Sequence, residues 1–82
     1  MDSADFTLST RVAGAVKAEL ARRDLSGHDL VEPLRLGRNA VYARLRGERP
    51  FDMAELALIV DFLDLSMDEL LASAELGRRV AA

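Results

Sequence analysis

Arg38, Asn39 and Tyr42 are the residues whose types and spacing could do chemistry in this chain, and that chemistry is the reading of base edges. Arginine offers a planar fork of donors that matches O6 and N7 of guanine. Asparagine offers a donor and an acceptor that match N6 and N7 of adenine. Tyr42 follows Arg38 by four residues, one helical turn, and could touch a thymine methyl or a phosphate. Arg35, Arg44, Arg46 and Arg49 surround the three. Guanidinium groups bind phosphate oxygens, which positions a protein on a duplex without reading its sequence. His28, the single histidine, is expected at the surface or on a phosphate. Plainer roles compete: Tyr42 partly in the core, Asn39 as a capping residue, the arginines as a solvated face.

The charge distribution favours the first reading. The chain carries −3 in total, which argues against nucleic acid. Residues 35–49, however, hold five arginines and one acid, Glu48, for a local charge of +4. Residues 1–34 sum to −2 and residues 50–82 to −5. A local patch, not the total, sets the attraction to phosphates.

Other chemistry finds little support. His28 has no second histidine and stands near a helix start, and the carboxylates fall at helix caps, so no paired-carboxylate site is expected. There is no Gly-rich phosphate loop. Without cysteine there are no disulfides and no thiolate metal sites. No enzyme activity, cofactor, metal or small-molecule substrate is expected. No apolar run approaches the ~20 residues that span a bilayer, and no basic-then-apolar leader is visible. A cytoplasmic location is the default expectation.

The elements that must position these residues are short helices. The chain's 82 residues amount to one domain, with a core over about residues 8–73. A domain this small buries only about 60–65% of its unfolded surface, so modest stability is expected unless it dimerises. Met1 to Phe6 is polar and expected to fray. Val12, Val16 and Leu20 recur every four residues and predict a helix from about Leu8 to Arg23, capped by Thr7 or Ser9. Gly14 within it offers a close approach for another helix. Three later starts share one grammar: Leu25-Ser26-x-x-Asp29-Leu30, Phe51-Asp52-x-x-Glu55-Leu56 and Leu65-Ser66-x-x-Glu69-Leu70. In each, a cap can accept free N–H groups, an acid can reach back, and two apolar residues can staple the entry.

The second helix is predicted over Gly27 to Leu34, with Leu30, Val31 and Leu34 inward, and Pro33 should shorten or bend it. Arg35-Leu36-Gly37 makes the turn, Leu36 plugging the core. The third helix runs from Arg38 to about Arg46 and stops at Gly47, with Val41 and Leu45 inward. The fourth, Met53 to Leu63, carries Leu56, Ile59, Val60 and Leu63 inward, and Leu58 with Phe62 gives it a second apolar stripe. Such a helix is central or lies at a subunit interface. The fifth begins after Ser66 with Leu70 and Leu71, and Gly77 argues against its continuing firmly through the tail, 74–82, which is either flexible or dimerising.

With these residues in place, Leu25-Ser26-x-x-Asp29-Leu30-x-x-x-Leu34-x-Leu36-x-Arg38-x-x-Val41-x-x-x-x-Arg46-Gly47 resembles the helix-turn-helix of the XRE-type family, the lambda-repressor and Cro-like DNA-binding domains. Gly47 to Leu56 is similar to the loop and helix that follow it, and Leu65-Ser66-x-Asp68-Glu69-Leu70-Leu71 to the family's last helix. The likeness covers about residues 10–72. There are departures. Val31 stands where alanine is usual and Arg35 where glycine is usual. Gly27-His28 replaces a common Gln-Glu pair, which removes a glutamine anchor to phosphate. Arg44 takes a position that is often apolar.

The resemblance implies an all-α, lambda-repressor-like bundle of five helices whose third helix enters the major groove by its start. It implies a small phage or bacterial repressor or Cro-like regulator, a homodimer on double-stranded DNA. Arg38, Asn39 and Tyr42 would read bases, and His28, Arg35, Arg44, Arg46 and Arg49 would contact phosphates. Leu58, Phe62, Leu71, Leu76 and Val80 are the apolar surplus assigned to dimerisation. The alternative is a helical protein-interaction module, an antitoxin or adaptor subunit, with little DNA binding.

Overall fold

The stripe of the first helix organises the core. The computed structural model describes the backbone of residues 3–81 and the side chains of residues 8–76. Helix α1 spans Ser3–Arg22, and its Val12, Ala15, Val16 and Leu20 are buried. It begins five residues earlier than its apolar spacing predicts. Residues 3–6 are therefore helical rather than frayed, and Thr7 and Ser9 are interior positions rather than caps. Gly14 is exposed, with nothing within 4 Å of where its Cβ would stand, so no helix approaches closely there.

The segment after α1 is bent, as Pro33 demands. A 3-10 turn over Gly27–Leu30 leads into helix α2, Val31–Leu34, with Leu30 and Leu34 buried and Val31 half-buried. Arg35 ends α2 in the left-handed region, φ 55° and ψ 40°. Helix α3 spans Arg38–Leu45 and buries Val41 and Leu45. The chain leaves it through Gly47, whose φ of 80° suits a residue without a Cβ. Helix α4 spans Met53–Leu63 and buries Leu56, Ile59 and Leu63. Its second stripe is not central: Leu58 and Phe62 are exposed.

Helix α5 spans Met67–Ala81, so it continues through Gly77, contrary to what that glycine suggests alone. One glycine costs a helix about 1 kcal/mol, and α5 makes the molecule's most extensive helix–helix contact, with α1. Helix α2 packs on α4, and α3 on both α1 and the 3-10 turn. The described residues form an all-helical globule with a radius of gyration of 11.9 Å. None of their helices is long and apolar enough to cross a membrane.

A buried carboxylate and its arginines fasten one seam. Glu19 on α1 is buried and accepts from Arg23 at 2.8 Å and from Arg22. Arg23 reaches on to the carbonyl of Leu63 at 3.1 Å, tying α1 to the end of α4. The Arg23 hydrogen bond holds the Glu19 carboxyl below its ordinary range, with Arg22 adding attraction against the cost of burial.

Candidate nucleic-acid interface

Helix α3 starts at Gly37, which adopts extended backbone (φ −68°, ψ 161°) and accepts the Val41 N–H at 3.1 Å. With Val41 and Leu45 fixed in the core, helical geometry turns Asn39 out at the first turn and Arg46 out at the end, while Arg38, seven residues before Leu45 and on its side of the helix, reaches solvent as the first residue of α3. All three are exposed. Arg35 and Arg49 are exposed in the segments before and after α3. The start of a helix also carries unpaired N–H groups and the positive end of the dipole, which adds to the attraction for anions.

Two expected contacts need correction. Arg44 is not on the phosphate side. It is 8% exposed, and its Nε donates to Glu55 Oε1 at 2.9 Å while its Nη1 donates to the Ala40 carbonyl at 2.9 Å. The position three after Val41 and one before Leu45 falls on the α3–α4 seam, and a buried guanidinium there needs the carboxylate it has found. Four arginines against Glu48 then remain at the surface of residues 35–49, a charge of +3. Tyr42 is half-buried against the core rather than fully outward.

Arg46 stays exposed but is engaged, its Nε on Glu48 Oε2 at 2.6 Å and its Nη2 on Glu48 Oε1 at 3.2 Å. The Arg46 hydrogen bond holds the Glu48 carboxyl below its ordinary range. A phosphate at Arg46 would have to compete with that carboxylate. His28 is exposed on the 3-10 turn but lines a different feature, a groove of about 930 Å³ between the bent segment and α4. Asp29, Glu32 and Asp61 line that groove together with Val31, Pro33, Leu58 and Phe62.

The residues assigned to dimerisation do not share one face. Leu58 and Phe62 lie in the groove with His28. Leu71 and Leu76 are exposed on α5 but five residues, about 140°, apart around it. Leu76 lines a separate concavity with Glu19, Arg22 and Arg23. Val80 lies outside the residues whose side chains are described.

Lys17 escapes a reading built on the turn motif. It is exposed on α1 and lines a concavity of about 280 Å³ with Ser26, Gly27, Tyr42 and Arg46. Only its place off the buried stripe of α1 could have flagged it. Comparison with known proteins adds no relative: no family model matches the chain, no curated protein matches it, and no solved structure matches it.

Proposed function

We propose that the chain is a sequence-specific duplex-DNA-binding protein that regulates transcription, with a lambda-repressor-like helix-turn-helix formed by residues 27–45. The observation that carries this reading is the exposed first turn of α3. There Arg38 and Asn39, a guanine reader and an adenine reader, stand side by side, with Arg35 and Arg49 exposed before and after the helix. The likeness of residues 25–56 and 65–71 to XRE-type domains supports it. A homodimer on a two-fold site follows from that likeness, its half-sites roughly 34–36 Å apart.

Selection from a random duplex pool at moderate salt tests the reading. An enriched inverted repeat is expected, with affinity falling steeply as salt rises. Arg38→Ala and Asn39→Ala should each cost about 1–3 kcal/mol of binding and relax the preference at one base position. Base preference unchanged in both variants would remove these two residues from the interface.

A second reading, the protein-interaction module, is favoured by the groove beside α4, lined by three acids and four apolar residues. Absence of any enriched duplex, together with a stoichiometric complex on a protein partner that Phe62→Asp abolishes, would select it.

A further inference from the structure

Gly27 and Tyr42 come from different elements and meet under close constraint. Gly27 is buried, and a Cβ on it would lie 3.0 Å from both Cε1 and Cζ of Tyr42 and 2.6 Å from Leu45 Cδ1. Such distances leave no room for a side chain unless the ring or the leucine moves. The ring of Tyr42 is thus seated directly on backbone, at the contact between α3 and the 3-10 turn.

The same ring carries Arg38. The guanidinium carbon lies 5.7 Å from the ring centroid, within the ~6 Å range of cation–π attraction. Arg22, Arg23, Arg44 and Arg46 each pair with a glutamate. Arg38 is held differently: among the described residues its contact is with an aromatic face, which occupies none of the guanidinium's N–H donors. A long side chain loses rotamer freedom when it is fixed on a base, and a ring that already restricts it reduces that loss. The orientation is restrained and the donors stay free.

We propose that Tyr42, seated against Gly27, is a positioning residue that holds the Arg38 guanidinium for base reading and touches no base itself. This rests on the DNA-binding reading and assigns a division of labour within it. The hydroxyl plays no part, because the attraction comes from the ring.

The test uses the full chain and the duplex enriched from the random pool. Tyr42→Phe should keep wild-type affinity and base preference. Tyr42→Leu should weaken binding about two- to five-fold and relax preference only at the base that Arg38→Ala relaxes. In an Arg38→Ala background, Tyr42→Leu should cost nothing further. Ring-current shifts provide a readout without DNA: the Arg38 δ-methylene protons should resonate upfield in the wild type and in Tyr42→Phe. They should return to ordinary positions in Tyr42→Leu, whose helical circular dichroism should match the wild type.

Loss of binding in Tyr42→Phe as large as in Tyr42→Leu would overturn the proposal in favour of a hydroxyl contact to DNA. Additive losses in the double variant would overturn it while leaving the DNA-binding reading intact. If the wild type enriches no duplex, that reading falls, and the positioning role falls with it even if the ring-current shift is present.

Discussion

Helix starts at Asp52, Ser66 and Ser26 follow one pattern of residues and reach two outcomes. At Asp52 and Ser66 the cap side chain accepts the backbone N–H three residues on, at 2.7 and 3.0 Å. The glutamate there accepts the cap N–H in return, at 3.0 and 2.8 Å. At Ser26 the box closes loosely: Asp29 Oδ2 accepts the Ser26 N–H at 2.8 Å, while the Ser26 hydroxyl faces the Asp29 N–H without a full cap hydrogen bond. The Asp29 N–H goes instead to the Ser26 carbonyl at 3.0 Å, a 3-10 bond, and the hydroxyl turns to the carboxylate at 3.3 Å. The difference lies in what each start must touch. The first residue of α4, Met53, is exposed and that of α5, Met67, is half-buried, whereas Gly27 is buried and pressed onto Leu45 and Tyr42. Contact across the fold, not the local pattern, decides which hydrogen bonds the first turn keeps.

The strongest way to break the comparison is at Glu55, whose Oε1 serves both the cap of α4 and Arg44. Arg44→Ala should leave that carboxylate half-buried and without its cation. The pair's side chains are 9% and 14% exposed, and losing one partner should cost about 3 kcal/mol. Urea unfolding at constant slope would measure it. A loss under about 1 kcal/mol would return Arg44 to the solvated residues.

Gly27→Ala comes next. The added methyl should overpack the site and cost about 1–3 kcal/mol in the same assay. Gly14→Ala, in open space within α1, should instead gain about 0.5–1 kcal/mol. Equal effects at the two glycines would mean that the 3-10 turn yields without cost.

Removing the caps sharpens the contrast. Asp52→Ala should cost about 1 kcal/mol, and Ser26→Ala no more than a few tenths, since its hydroxyl makes no full cap hydrogen bond. Comparable losses would show that the Ser26 hydroxyl does cap in solution. The smallest effect is a gain. Arg35 pays for a left-handed backbone that glycine adopts freely, so Arg35→Gly should raise stability by roughly 0.5–1 kcal/mol in thermal melts. No gain would mean that the Arg35 side chain earns its place in the fold.

The helices α3 and α4 were legible because their signals are local: the cap at Asp52, the stop at Gly47 and apolar residues at helical spacing. The bend at Pro33 was legible for the same reason. What escaped depends on partners distant in sequence. The start of α1 and the passage of α5 through Gly77 carry no local signal, and these two helices share the most extensive contact among the described residues. Arg44 reads as one more basic residue until Glu55, eleven positions later, takes it inside. Asn39 was visible as an exposed residue because Val41 and Leu45 fix the phase of α3, whereas Arg38, seven residues before Leu45, is exposed because it opens the helix. Tyr42 hid its attachment because a glycine carries no hint of what lies against it.

That attachment has an optical consequence. The chain has one tyrosine and no tryptophan, so its near-ultraviolet absorption and emission come almost wholly from a single ring lodged between α3 and the 3-10 turn. Far-ultraviolet dichroism, by contrast, sums over every helix. In a two-state transition the two signals must coincide. Were the bent segment to loosen before the rest, the emission would move first, and the molecule would report by its own light on the stability of that one seam.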